Sequence, residues 1–237
     1  MQKVLHTATS RGQANHGWLN SFHTFSFAGY NNPSRVHFGM LRVLNDDVVA
    51  PGMGFGTHPH ENMEIVSIPL QGALHHKDTT GRDEIIRSGD VQIMSAGSGI
   101  SHSEMNASRT ENVNFLQLWI FPKLENITPR YEQKTFEKTD RLNKLQLVVS
   151  PNENDDAIFI NQDAFLSLTD LTESTVLDYK MHSSNSGVYV FVLEGNVTID
   201  GEKLSRRDGL GIYDTASFKV EANANASLLF IEVPMLG

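Results

Sequence analysis

A short pattern occurs twice in this chain, once in each half. Residues 67–72 resemble residues 190–195, and residues 88–90 resemble residues 208–210. Both halves otherwise consist of short apolar and β-branched runs that are separated by glycine turns, with almost no helical periodicity. A repeated unit of this composition restricts the fold to two similar β domains in one chain.

A polar stretch separates the two halves. Residues 123–144 mix basic and acidic side chains and contain Pro129, and a strand pattern resumes at residues 145–150. Proline within such a charged run is typical of a connection between domains. We therefore predict an all-β protein with an N-terminal barrel in residues 1–130 and a C-terminal barrel in residues 131–237.

The charge balance limits the partners of the chain. It carries 28 acidic and 19 basic residues, a formal net charge of −9, and no basic run. Non-specific binding to nucleic acid depends on clustered lysine and arginine, so we expect no direct nucleic-acid partner. No apolar run approaches the roughly 20 residues that span a bilayer, and the first residues do not read as a secretory signal. We expect no membrane partner and a cytoplasmic location.

Cysteine is absent, and this excludes disulfides, thiolate metal sites and cysteine nucleophiles. Any metal must therefore be bound through nitrogen and oxygen. Nine of the ten histidines lie at or before His102, and His182 is the one beyond it. The N-terminal half is where the sequence predicts metal chemistry.

Two pairs of residues in this half have the spacing of strand-borne metal ligands. They are His58 with His60 and His102 with Glu104, each separated by one residue. Side chains alternate faces along a strand, so both members of a pair point to the same side. Two such strands inside a barrel would bring three imidazoles and one carboxylate together, a set that suits a borderline divalent metal.

The repeat offsets indicate that the second half lacks this site. They place Met181 and Ser183 where His58 and His60 stand, and Ala222 and Ala224 near the places of His102 and Glu104. None of these four counterparts is a strong metal ligand. We therefore expect a single metal, in the first barrel.

Residues 52–72 resemble the first motif of the cupin superfamily, and residues 89–106 resemble the second, with Ser95 in place of the expected proline. Residues 23–27, 56–60 and 94–104 more specifically resemble the pirin family, and bacterial pirin-like quercetin 2,3-dioxygenases above all. The resemblance covers nearly the whole chain. It implies a bicupin, which consists of two packed β-barrels of the jelly-roll type.

The resemblance also implies which residues bind the metal. Pirins take their four ligands from the positions that match His58, His60, His102 and Glu104. They do not use the glutamate of the first motif, so Glu64 is the weaker candidate. The implied metal is iron(II), and nickel, copper, manganese, cobalt and zinc are the alternatives that the ligand types admit.

The activity that the resemblance implies is the opening of the central ring of a flavonol such as quercetin with O2 and loss of carbon monoxide. In this hypothesis Glu104 is both a ligand and the catalytic base that receives the flavonol's hydroxyl proton. One alternative is a metal-dependent regulatory protein that binds a transcription factor, as animal pirin is thought to do. Another is a different metal-dependent reaction on a small molecule, since one fold and one site serve several uses.

Other histidines and aromatic residues have less specific interpretations. His75 and His76 are adjacent, so on a strand they face opposite sides, and we interpret both as solvated or hydrogen-bonded, with His76 at the pocket rim as the alternative. We interpret His23 as a packing or hydrogen-bonding residue. The larger aromatic side chains, Trp18 and Trp119 among them, form either the core or the apolar wall of a pocket.

Overall fold

The computed structural model describes residues 1–235, which form strands throughout both halves, with two short 3₁₀-helices at Ala8–Ser10 and Lys138–Arg141. The strands of the first half are numbered in chain order: β1 Gln2–His6, β2 Gly12–Asn15, β3 Leu19–His23, β4 Leu41–Val49, β5 Gly54–His60, β6 Glu64–Gln71, β7 Ala73–Asp78, β8 Asp83–Arg87, β9 Asp90–Ser95, β10 Ile100–Asn106, β11 Val113–Ile120 and β12 Arg130–Thr135.

The second half repeats the alternation of short strands and turns. Its strands are β13 Gln146–Ser150, β14 Ile158–Phe159, β15 Phe165–Leu171, β16 Val176–Lys180, β17 Ser186–Glu194, β18 Asn196–Ile199, β19 Glu202–Ser205, β20 Gly209–Tyr213, β21 Ser217–Ala222 and β22 Ala226–Pro234. Within residues 1–235 there is no helix with the length and apolar character that a membrane span requires.

The strands form two barrels, each built from one large and one small sheet. The first barrel has a seven-stranded sheet in the order β12-β9-β6-β11-β4-β3-β2 and a four-stranded sheet in the order β5-β10-β7-β8. The second barrel has the corresponding orders β1-β20-β17-β22-β15-β13-β14 and β16-β21-β18-β19. This arrangement confirms the predicted all-β class with two packed β-barrels.

One edge strand of each large sheet comes from the other side of the predicted boundary between residues 130 and 131. Strand β1 pairs with β20 of the second barrel, from Gln2 opposite Tyr213 to His6 opposite Gly209. Strand β12 pairs with β9 of the first barrel although it begins at residue 130. The expected division between residues 130 and 131 therefore falls inside a strand of the first barrel. The pairing of β1 with β20 and that of β12 with β9 both cross this division.

The largest apolar cluster lies between the barrels. It contains side chains from both seven-stranded sheets, such as Leu118 and Val66 from the first and Leu229 and Leu166 from the second. Burial of this apolar surface is the main force that holds the two sheets together. The two barrels therefore share one core at their contact face.

The barrel interiors differ in polarity. The second is filled by one apolar cluster, whereas the first has separate apolar clusters at its two ends. On β11 the positions Phe115, Gln117 and Trp119 lie on one face, so a polar side chain lies between the two apolar ends. The middle of the first barrel is the layer in which polar chemistry is concentrated.

Strand register corrects part of the sequence repeat. Gly72 and Gly195 occupy equivalent turns, with φ values of 78° and 85° that favour glycine. The match of residues 88–90 to residues 208–210 is displaced. Asp208 accepts a hydrogen bond from the backbone N–H of Ser205 just as Asp90 does from that of Arg87, so Asp208 is the counterpart of Asp90. Arg207, whose φ is 68°, therefore takes the place of Gly89. The predicted match of Gly89 to Gly209 is two residues out of register.

Candidate metal centre

Two neighbouring strands of the small sheet carry the predicted ligand pairs. In the antiparallel pairing of β5 with β10, His58 lies directly opposite His102 and His60 lies opposite Ile100. The register shifts between His102 and Glu104, which is the local irregularity of a β-bulge. The alternation that predicted each pair to face one side therefore also brings the two pairs together across the ladder.

The three histidines form a compact imidazole cluster. Ring centroids are 4.5 Å apart for His58 and His102, and 4.9 Å apart for His60 and each of the other two. One nitrogen from each ring lies within 4.8 Å of the others. Two nitrogens bound to one ion at about 2.1 Å lie at most about 4.2 Å apart, so a small adjustment of the side chains would let one ion contact all three.

Hydrogen bonding leaves the ligand nitrogen of His58 free. Its Nδ1 donates to the carbonyl of Gly56 at 2.8 Å, so in the neutral ring Nε2 carries the lone pair. That Nε2 lies 3.1 Å from Nε2 of His102. Two lone pairs at this distance repel unless a proton or a cation lies between them, so the donor set fits a bound metal.

The cluster favours neutral rings. Burial, together with smaller contributions from the neighbouring imidazoles His102 and His58, lowers the pKa of His60 to about 4. Burial is also the main cause that lowers the pKa of His102 to about 3, followed by His58 and His76. Neutral imidazole is the form that binds metals, so no proton has to be removed from these two rings at neutral pH.

Glu104 lies beside this cluster, on β10 with His102. Its side chain is buried, and each carboxylate oxygen accepts one hydrogen bond: Oε1 from the Ser67 hydroxyl at 3.0 Å and Oε2 from Nε2 of Gln117 at 2.6 Å. Glu104 forms a second close group with His102 and His76. The structure thus brings the other three predicted ligands close to His102. The assignment of all four as ligands stays a prediction.

His76 is hydrogen-bonded, as one interpretation from the sequence expected, but it lies deeper in the barrel than the pocket rim. It is fully buried instead of lying at a rim, and its Nε2 is 2.9 Å from Oδ2 of Asp78. Its ring lies 5.3 Å from that of His102. The spacing of His76 and Asp78 puts both on one face of β7, but it does not reveal that His76 lies opposite Glu104.

Glu64 lies apart from the imidazoles. Its Oε2 accepts hydrogen bonds from the Ser95 hydroxyl at 2.8 Å and from the backbone N–H of Asn161, in the second half, at 3.2 Å. Burial raises the pKa of this carboxyl. Ser95, which replaces the expected motif proline, therefore supplies a donor to a buried glutamate that joins the two halves.

A cavity of about 350 Å³ opens onto His58, His60 and Glu104. Much of its wall is apolar and includes the side chains of Trp18, Leu19, Phe27, Phe55 and Trp119. Typical ligand pockets have volumes of about 300–1,000 Å³ and are mainly apolar with a few placed polar groups. Of the two interpretations of the tryptophans, the pocket wall is therefore the one that the structure favours.

The cavity also contains polar groups that the sequence did not single out. Ser21, His23, Asn45 and Asp47 line it and are all buried. Burial raises the pKa of Asp47 to about 7, while a hydrogen bond from the Ser21 hydroxyl opposes the increase. His23, which we interpreted as a packing or hydrogen-bonding residue, lines the cavity as well.

Among residues 1–235, the corresponding layer of the second barrel contains no comparable ligand set. Strand register puts Phe218 and Val220 at the places of His102 and Glu104, and Tyr179 and Met181 at the places of His58 and His60. Tyr179 and Phe218 stack with ring centroids 5.0 Å apart. The predicted counterparts were out of register, and the space that the imidazoles occupy in the first barrel is filled by aromatic packing here.

Two packed barrels in one chain, one with an imidazole cluster inside it, define the bicupin class. Comparison with known proteins gives the family. A pirin profile matches residues 4–120, and the profile of a quercetinase C-terminal cupin domain matches residues 147–233. The chain belongs to the pirin family, as the sequence motifs predicted.

Relatives and solved structures agree with this. The chain is 44% identical to a quercetin 2,3-dioxygenase of Escherichia coli over 97% of its own length and 98% of the relative. It is 40% identical to a pirin-like protein of Caulobacter vibrioides over 93% of its length and 95% of the relative. The crystal structure of the bacterial pirin YhhW in complex with nickel(II), from Escherichia coli, superimposes with a TM-score of 0.94 at 42% identity, covering 99% of this chain and 100% of that one.

Proposed function

We propose that this protein is a metal-dependent dioxygenase that opens the central ring of a flavonol such as quercetin. The observation that carries the proposal is the aromatic-walled cavity that ends at His58, His60 and Glu104. A planar, largely apolar substrate fits such walls, and its oxygen-bearing edge can face the polar end. The names of the relatives support the same activity.

We propose His58, His60, His102 and Glu104 as ligands of one divalent metal. Iron(II) is the metal we propose, because sets of imidazoles with one carboxylate are typical of non-haem iron oxygenases. The nickel(II) complex of the Escherichia coli relative supports a divalent metal at this kind of site. When bound, such a metal supplies a Lewis acid that polarises the 3-hydroxyl of the flavonol.

The side chains of the protein handle the proton and the solvent. Glu104 accepts the proton of the 3-hydroxyl, and the donors Ser67 and Gln117 fix the orientation of its carboxylate. Trp18 and Trp119 hold the flavonol plane and exclude water from the reacting ring. Both atoms of O2 enter the ring-opened ester, and carbon monoxide leaves.

The test is aerobic incubation of metal-analysed protein with quercetin. We expect loss of flavonol absorbance together with release of carbon monoxide. Protein stripped of metal and protein kept under argon should both leave quercetin intact. If metal-loaded protein leaves quercetin unchanged in air, the dioxygenase proposal fails, and the regulatory binding protein becomes the better hypothesis.

A second expected result concerns metal content. We expect one tightly bound divalent metal per chain, and we expect the variant with both His58→Ala and His60→Ala to lose it, because two of four donor atoms are removed. His182→Ala is the matched control, since His182 lies in the second half and is hydrogen-bonded to Glu232. Elemental analysis of the parent protein, the double variant and the control gives the number of metal ions per chain. Two metals per chain, or retention of metal by the double variant, would contradict the assignment.

A further inference from the structure

The cavity has a second polar region on the large sheet, apart from the imidazole cluster on the small sheet. Ser21 lies opposite Asp47, and His23 lies opposite Asn45, in the pairing of β3 with β4. All four side chains line the cavity, and each is at most 3% exposed. Within residues 1–235, none of them belongs to a close group of metal-ligand atoms.

Several atoms in this region lack a partner. Among the described residues, Nδ1 of His23 and Oδ1 of Asn45 are buried without a hydrogen bond. The Ser21 hydroxyl donates to Oδ1 of Asp47, and no described residue donates to Oδ2 of that carboxyl. Buried polar groups are normally hydrogen-bonded, so unpaired atoms on side chains that line a cavity indicate a ligand that completes them.

The chemistry of these groups identifies what they bind. The carboxyl of Asp47 and the amide oxygen of Asn45 are acceptors, and an imidazole serves as donor or acceptor according to its tautomer. Hydroxyl groups on an aromatic ring are donors that fit two acceptors while the ring contacts the apolar wall. An anionic substituent would face Asp47 and is disfavoured.

Gln117 separates this region from the proposed metal ligands. It lies opposite Asn45 in the pairing of β4 with β11, and its side chain is directed to Glu104, to which Nε2 donates. A substrate whose 3-hydroxyl is at Glu104 therefore has the remainder of its ring system in the aromatic part of the cavity, with Asn45 and Asp47 within the same space.

We propose that Asp47, oriented by Ser21, accepts a hydrogen bond from a phenolic hydroxyl remote from the 3-hydroxyl, and that Asn45 and His23 complete a subsite for a polyhydroxylated ring. This inference rests on the proposed function, because it assumes that a flavonol occupies the cavity. It makes Asp47 a residue that selects among flavonols by their hydroxyl groups.

The experiment compares two flavonols under argon, where binding is measured without turnover. Quercetin carries phenolic hydroxyls on its other rings, and 3-hydroxyflavone carries the 3-hydroxyl alone. Both tryptophans of the chain line the cavity, so quenching of their fluorescence reports binding. Metal-loaded parent protein, Asp47→Asn and Ser21→Ala are titrated with each compound.

We expect parent protein to bind quercetin more tightly than 3-hydroxyflavone. At pH 8, above the raised pKa of Asp47, Asp47→Asn should raise the Kd for quercetin about tenfold, the usual effect of losing one hydrogen bond to a charged group, and leave that for 3-hydroxyflavone within about twofold. Ser21→Ala should change the same ratio in the same direction and by less. The KM values in air should follow the same pattern.

Three results would overturn the subsite. The first is that the parent protein has equal Kd values for the two flavonols. The second is that Asp47→Asn raises both Kd values by the same factor. The third is that neither variant changes the Kd for quercetin. The first would leave the proposed function intact, since both compounds still bind. If the parent protein binds neither flavonol, the proposed function fails and the subsite fails with it.

Discussion

Glu104→Gln is expected to lower quercetin consumption per bound metal by about a hundredfold or more, the usual contribution of a general base. The amide oxygen can still coordinate, so some metal should remain, but a neutral amide is a poor proton acceptor. The site tolerates the change in shape, because the Ser67 hydroxyl, which now donates to Oε1, can rotate to accept from an amide N–H. Metal content and turnover are measured on the same preparation.

Glu64→Gln is the matched control for this result. Glu64 is also a buried glutamate on the first barrel, but its partners are Ser95 and Asn161. We expect the control to retain most of its turnover per metal. If Glu104→Gln works at the parental rate while Glu64→Gln is inactive, the base has been assigned to the wrong glutamate.

Two adjacent aspartates should respond to the same substitution with opposite signs. Asp46 and Asp47 point to opposite faces of β4. Asp46 is buried with Arg11, 3.3 Å away, and Arg207, 3.0 Å away. Asp46→Asn leaves Arg11 without a carboxylate and Arg207 with that of Glu194, 4.0 Å away, and we expect a loss of about 3–5 kcal/mol in the free energy of unfolding.

Asp47→Asn should instead stabilise the metal-free protein above neutral pH. Burial raises the pKa of Asp47 from 3.8 to about 7, so the folded state retains a proton that the unfolded state releases. Stability is therefore lost as the pH rises from about 4 to about 7, and the asparagine variant avoids this loss. We expect a gain on the order of 2–4 kcal/mol at pH 8 that becomes small near pH 4.

Urea unfolding of metal-stripped protein at several pH values measures both effects. Removing the metal matters, because a nearby cation would itself stabilise the Asp47 carboxylate. A gain in Asp47→Asn that does not change with pH would contradict the raised pKa. Unchanged stability of Asp46→Asn would show that the two arginines find other partners.

The sequence predicted those features that depend on local alternation. The spacing of His58 with His60 and of His102 with Glu104 predicts which side chains share a face, and this holds wherever the segments are strands. Glycine turns at Gly72 and Gly195 mark the repeat because left-handed backbone strongly favours this residue. Both kinds of signal lie within a few residues of chain.

Features that depend on pairing between distant strands were not predicted. Three polar residues in a row, Asn45 to Asp47, are not typical of a strand, yet they lie inside β4, which continues to Val49. Asp46 is polar because it meets Arg207 of the second barrel, and Asp47 because it faces the cavity. Similarly, the burial of His76 follows from its place opposite Glu104, which only the register reveals.

The pairing of edge strands links the two halves of the chain. Strand β1 completes the second barrel's large sheet from the N-terminus, and β12, from the connecting segment, completes the first. Separation of the halves would expose the backbone N–H and C=O groups of β9 and β20 as open edges, which invite pairing with other chains. The two halves therefore depend on each other for closed sheet edges as well as for the apolar cluster that they share.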